Sequence, residues 1–128
     1  MNDHTNESKP FDLEERTYEF ALQVRQVLKQ RAWHRVSWTD VTQLLRSSGS
    51  VAANYVESQE AVSSEDFIHR VRICRKETRE SALWMRLLVD TNDLNRTETD
   101  WIDTLLKETA ELTRIFTSII KKRERASG

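Results

Sequence analysis

The sequence predicts an all-α protein, an antiparallel up-down-up-down four-helix bundle, and three observations predict it. Glycine occurs twice and proline once in 128 residues, so the connections must be few and short. Apolar residues recur at three-and-four spacing along four long stretches, the signature of one buried helical face. Each stretch opens with a short polar residue followed three positions later by an acid. That pairing satisfies free N–H groups at a helix start and complements its positive end.

The first stretch opens at Asp12-Leu13-Glu14-Glu15 and turns Leu13, Thr17, Phe20, Ala21, Val24, Val27 and Leu28 to one side. The second opens at Ser37-Trp38-Thr39-Asp40 and aligns Val41, Leu44, Leu45, Ser48, Ala52 and Tyr55. The third opens at Ser63-Ser64-Glu65-Asp66 and aligns Phe67, Val71, Cys74, Thr78, Ala82, Met85, Leu88 and Val89. The fourth opens at Thr97-Glu98-Thr99-Asp100 and aligns Ile102, Leu105, Thr109, Leu112, Phe116, Ile119 and Ile120. The helices are expected to end near Arg31, Glu57, Thr91 and Lys122. Short connections make neighbours antiparallel. One domain is expected, with a flexible segment 1–11, the bundle over 12–122 and a flexible basic tail over 123–128. Gly49 lies inside the second helix, at a cost of about 1 kcal/mol relative to alanine. Close packing against another helix is the expected reason.

Composition narrows the function. Twenty basic and 21 acidic residues give a net charge of −1, so the whole chain is not a polycation built for nucleic acid. No apolar run approaches a membrane span, and no signal-peptide pattern opens the sequence. The single Cys74 excludes an intramolecular disulfide and fits a reducing compartment, so a cytoplasmic location is expected. Cys74 falls on the apolar face of its helix, where a thiol acts as a small hydrophobe rather than a nucleophile. A carboxylate-bridged di-iron bundle needs Glu-x-x-His on two helices. This chain has one approximate match, Asp66-x-x-His69. No catalytic residue, metal or cofactor is expected.

The third helix carries two further stripes. Ile73, Glu77, Glu80, Trp84 and Leu87 mix large apolar residues with acids, a pattern read as an oligomer interface. The alternative is a widened core. Arg72, Arg75, Lys76 and Arg79, with Arg86 beyond them, form a basic row. Such a row tracks phosphates or pairs with acids on a neighbouring helix or subunit. The first four are the expected nucleic-acid contacts. On the second helix, Arg46, Ser47, Ser50, Asn54 and Glu57 lie opposite the apolar face. They form either an interhelical hydrogen-bond network or ordinary surface. Trp33 and Trp38 bracket the first loop beside Arg31 and Arg35. Aromatics among arginines stack unpaired bases, but packing at the end of the bundle is the preferred reading. Residues 1–15 carry five acids against one base, and the tail Lys121-Lys122-Arg123-Glu124-Arg125 nets +3. Signs therefore mix at one end of the bundle, which favours helix docking or subunit contacts over one broad basic surface.

An ordered set of short matches spans residues 12 to 122. It runs through Asp12-Leu13-Glu14-Glu15-Arg16 with Phe20-Ala21, Leu45-Arg46-Ser47 with Ser50, and Ala53-Asn54 with Glu57. It continues through Phe67-Ile68, Lys76-Glu77 and Glu80 before Trp84, then Glu111-Leu112 with Ile115-Phe116. In this set the chain resembles the small bacterial four helix bundle protein family. That family includes proteins encoded in intervening sequences of large-subunit ribosomal RNA genes. More distantly, it includes accessory proteins of diversity-generating retroelements. The resemblance implies a bundle that assembles into a cyclic homo-oligomer, a homopentamer. For the retroelement accessories it implies binding to a reverse transcriptase and to RNA. Those accessories are strongly basic, and this chain departs from that. The expected function is a non-enzymatic oligomeric binding or scaffolding module, associated with RNA or an RNA-handling protein. The alternative is a purely protein-binding structural module.

Overall fold

The computed structural model describes residues 12–127, all of them in helices or short connections. Four α-helices follow in order: α1 (Leu13–Leu28), α2 (Trp38–Gln59), α3 (Ser64–Thr91) and α4 (Arg96–Ser127). A single 3-10 turn over Arg35–Ser37 leads directly into α2, and no strand occurs among the described residues. The expected flexible segment 1–11 lies outside the described residues. At the other end, α4 continues as helix through Ser127, five residues past its expected end at Lys122.

Helix starts differ in how their free N–H groups are met. Ser63 caps α3 as predicted, its hydroxyl accepting from the Asp66 N–H at 3.0 Å, while Asp66 accepts from the Val62 N–H at 3.3 Å. The start of α4 lies earlier than predicted. Asn95 Oδ1 accepts from the Glu98 N–H at 2.8 Å, and Glu98 Oε1 accepts from the Asn95 N–H at 2.9 Å, a reciprocal capping box. Ser37 makes no side-chain cap bond to α2. The preceding 3-10 turn already aligns carbonyls with the first N–H groups, and the Ser37 hydroxyl instead accepts from Asn92 Nδ2 at 3.0 Å. Asp12 makes no side-chain cap bond either.

One core runs through all four helices and includes Phe20, Val24, Leu44, Val51, Val71, Met85, Leu88, Leu112 and Phe116. The buried faces of α1 and α4 are those the spacing predicts, except that Val27 and Ile119 are half-buried. Those of α2 and α3 are rotated towards each other. On α2 the buried line is Leu44, Ser47, Ser48, Val51, Tyr55 and Ser58, while Val41, Leu45 and Ala52 are half-buried. On α3, Ile68, Glu77 and Ser81 are buried, and Phe67 and Ala82 are half-buried. Ser47, expected on the polar side of α2, is therefore in the core. It can be there because its hydroxyl has two partners, the Ser81 hydroxyl at 2.7 Å and Leu44 O at 3.4 Å, while Ser81 in turn donates to Glu77 O at 2.9 Å.

Helix pairs register through side chains. Along α2 and α3, Arg46 meets Glu80, Ser47 meets Ser81, Val51 accepts from Cys74, and Asn54 meets Arg70. Between α1 and α4, Arg16 meets Glu108, and Arg31, three residues past the end of α1, meets Glu98. Between α3 and α4, Arg75 donates to Thr117 at 3.2 Å, and Arg72 pairs with Glu124. Between α1 and α2, Arg25 reaches across: Nη1 donates to Ala21 O at 3.0 Å and Ser48 Oγ at 3.2 Å, and Nη2 to Leu45 O at 3.2 Å. A Cβ at Gly49 would lie 3.0 Å from Arg25 Nη2. The glycine thus admits the neighbouring helix's guanidinium, the close approach expected for it.

Candidate functional site

The outer face of α3 holds the basic row in an open groove. A concavity of about 450 Å³ is lined by Arg72, Arg75, Lys76, Arg79, Glu80 and Leu83. Helical spacing places these six on one face within about three turns. Their charges are not equally available. Arg72 is paired with Glu124, and Glu80 with Arg46 at 2.7 Å. Arg75 donates to the neutral Thr117 hydroxyl, so its charge is not cancelled. Lys76 and Arg79 are exposed and have no carboxylate partner among the described residues. Three cations beside an exposed Leu83 give this groove a local excess of positive charge next to one apolar side chain.

The second stripe of α3 lies beside it. Glu77 is 7% exposed, closed in by α2. Arg46 reaches over from α2, its Nη1 3.2 Å from Glu77 Oε1 and its Nη2 2.7 Å from Glu80 Oε1. The contact to Glu80 is a hydrogen bond. The approach to Glu77 is a charge contact only, because no N–H is directed at Oε1, which has no hydrogen-bond donor. Trp84 packs on the core, and its indole N–H also has no acceptor. Ile73 and Leu87 are half-buried.

This arrangement resolves the polar stripe of α2. Arg46 bridges both acids. Asn54 Nδ2 donates to Ser50 O and Oγ, each at 2.9 Å, and Asn54 Oδ1 accepts from Arg70 at 3.1 Å. Glu57 remains exposed. The stripe is an interhelical network, one of the two readings the sequence left open. Its partners on α3 were legible only once the register of the two helices was known.

The remaining candidates differ in how far burial and packing engage them. Burial pushes the Cys74 thiol up to about 12, so the thiolate a nucleophile needs does not form near neutral pH. Its Sγ faces Val51 O at 3.5 Å. Asp66 is engaged at the α3 cap, and His69 is exposed. Among the described residues no three His, Cys, Asp or Glu side chains converge as a metal site would need, and Glu77 and Glu80 share an arginine instead. Trp33 packs against the core, donates to Leu28 O at 3.1 Å and carries Arg31 over its ring at 5.4 Å. Trp38 donates to Trp33 O at 3.1 Å but keeps 59% of its surface exposed. Packing therefore accounts for the first tryptophan and only part of the second. No helix among the described residues is long and apolar enough to cross a membrane.

Comparison with known proteins fits this geometry. A crystal structure from Bacteroides thetaiotaomicron, of a protein with unknown function from the S23 ribosomal protein family, is 29% identical with a TM-score of 0.74. The match covers 84% of this chain and 97% of that one. No curated protein matches the chain. The family model described as 23S rRNA-intervening sequence protein matches residues 9–118, nearly the whole span of the four helices, and the chain belongs to that family.

Proposed function

We propose that this protein is a non-enzymatic binding or scaffolding module that contacts RNA through the outer face of α3. The observation that carries the reading is the groove in which Arg75, Lys76 and Arg79 keep their charge unneutralised while Arg72 leans on Glu124. A chain of net charge −1 gains phosphate affinity only where cations are gathered locally, and this groove gathers them. The family's description as intervening-sequence proteins of ribosomal RNA genes supports an RNA context. An RNA-handling protein such as a reverse transcriptase is the protein partner this reading allows.

The same reading includes an up-down-up-down bundle that assembles into a closed ring, five subunits being the favoured number, in the cytoplasm. Side-chain registers support the topology, since rising numbers along α2, and along α1 and the residues just after it, meet falling numbers in α3 and α4. Ile73, Trp84 and Leu87 support the ring, because each keeps part of its apolar surface open. Glu77 and Glu80 would border that contact while held by Arg46.

The test is RNA binding by fluorescence anisotropy across a salt series, on protein whose native mass has been measured by light scattering. Three free cations predict a log–log salt slope of about −2 on single-stranded RNA. Alanine at Arg72, Arg75, Lys76 and Arg79 together flattens that slope. An unchanged slope removes the α3 groove from the reading, and absence of binding at moderate salt favours a purely protein-binding module.

A further inference from the structure

The α1–α4 seam holds a groove of a different kind. Of the adjoining helix pairs, α1 and α4 pack most sparsely, and between them opens a concavity of about 400 Å³. It is lined by Gln23, Gln26, Val27, Gln30 and Trp101. In a chain that is 32% charged, this lining contains no charged side chain. Three carboxamides at positions i, i+3 and i+7 form one wall, because that spacing keeps them on one face of α1. Opposite them Trp101 on α4 is 39% exposed. The side chains of Gln23 and Gln26 make no hydrogen bond among the described residues, and Gln30 spends one amide hydrogen on Gln26 O at 3.1 Å.

These features define a ligand. Without cations the groove does not select phosphate, and without acids it does not select amines. An indole face takes a flat π-system by stacking. A carboxamide offers a donor and an acceptor side by side, the pattern that pairs with the N6/N7 edge of adenine. The proposed phosphate contact on α3 and this neutral slot would recognise different parts of a nucleotide, the backbone and the base.

We propose that the Gln23/Gln26/Gln30/Trp101 groove binds an unpaired nucleobase, adenine in preference, stacked on Trp101 with its edge on the carboxamides. The proposal rests on the RNA reading for its biological setting, but its chemistry is testable without RNA. The probe is adenosine, which has no phosphate, compared with ribose and maltose as neutral sugars. The readout is the indole N–H signals of the four tryptophans in a nitrogen-15 correlation spectrum, Trp101 being assigned from its absence in Trp101→Phe.

The Trp101 signal is expected to move saturably with adenosine and not with either sugar, while Trp33 and Trp84 stay in place. Gln26→Ala should weaken the adenosine response several-fold. On an oligoadenylate, Trp101→Leu should lower affinity about tenfold at every salt concentration, leaving the salt slope unchanged. The half-exposed position of Trp101 lets that variant fold, which circular dichroism checks. No movement of Trp101 at millimolar adenosine, or equal movement with maltose, overturns the proposal. The two readings fail separately. A salt-dependent RNA affinity untouched by Trp101→Leu, with no adenosine response, sinks the base slot and leaves the α3 groove standing. An adenosine response without salt-dependent RNA affinity does the reverse.

Discussion

The α2–α3 seam and the α1–α4 seam join helices by opposite means. Along α2–α3 small residues line both sides, so the backbones come close: Ser47 bonds Ser81, and Cys74 lies against Val51. Along α1–α4 two separated bidentate ion pairs hold the seam, one from within α1 and one from the connection just past its end. Arg16 grips Glu108 through contacts of 2.7 and 2.9 Å. Arg31 grips Glu98 through contacts of 2.8 and 3.1 Å. Between those clamps the seam stays open enough for the Gln23–Trp101 groove. Close packing makes a seam rigid and leaves no room, whereas clamps fix the spacing and leave a groove between them.

The sharpest way to break this contrast is to add bulk to each seam. Ser47→Leu overfills the α2–α3 contact and removes the bond to Ser81, whose hydroxyl keeps only its bond to Glu77 O at 2.9 Å. Overpacking and the lost interhelical hydrogen bond together cost roughly 2 to 4 kcal/mol. Gln26→Leu, on the open seam, should stay within about 0.5 kcal/mol of the parent. Urea unfolding of both variants checks the pair. Equal losses would show that the two seams are packed alike.

Next in size is the polar bridge inside the tight seam. Arg46→Met leaves Glu77 buried with no compensating charge, a loss of about 1 to 3 kcal/mol because Arg46 itself is half exposed. Adding Glu77→Gln should recover most of that loss, since the neutral amide no longer needs the cation. A double variant as unstable as the sum of the singles would mean that Arg46 stabilises by packing rather than by charge.

What the sequence made legible follows the same division. Periodicity exposed the buried faces of α1 and α4 almost residue for residue, because those helices bury ordinary apolar stripes. On α2 and α3 it found the centre of each face, such as Leu44 and Tyr55 or Val71, Cys74 and Met85, but missed the edges where small polar residues occupy core positions. Ser47 and Ser81 scan as surface until each is seen to satisfy the other. The capping box at Asn95 and Glu98 was present in the sequence, but Thr97 with Asp100 offered an equally good pattern two residues later. The clamps were not legible at all. Arg16 and Glu108 are 92 residues apart, and no local pattern pairs them. The basic row of α3 was visible as a charge pattern, but only the fold shows that Glu124 takes one of its members. The Gln23–Trp101 groove escaped notice because glutamines at helical spacing look like any solvated face.

Acid should loosen the open seam first. The Arg31 hydrogen bonds, then the Asn95 N–H, hold the Glu98 carboxyl below its usual range. A carboxyl with a lowered folded-state value contributes stability that is complete above the unfolded value. That stability fades as pH falls through the folded value, because the unfolded chain takes up the proton first. Thermal midpoints should therefore drop between pH 6 and pH 3, and Glu98→Gln should drop less over the same range. An identical pH response in the two proteins would show that the clamp carries no acid-sensitive stability.

The smallest effect tests what separates the α1–α2 contact from both other seams, a guanidinium lodged against a glycine. Gly49→Ala relieves the helix of about 1 kcal/mol of backbone cost. The new methyl would meet Arg25 Nη2 at 3.0 Å, so the guanidinium must shift and stretch its bond to Leu45 O. Its Nη1 bonds to Ala21 and Ser48 can persist. Gain and loss are of similar size, and the net change should lie within about 1 kcal/mol of zero. Removing the guanidinium separates the two terms. In an Arg25→Met background nothing opposes the methyl, so Gly49→Ala should stabilise by most of the propensity difference. The gap between the two backgrounds measures what Arg25 gains from the missing Cβ. Equal stabilisation in both would mean that Arg25 follows the glycine rather than requiring it, and that the α1–α2 contact is ordinary packing.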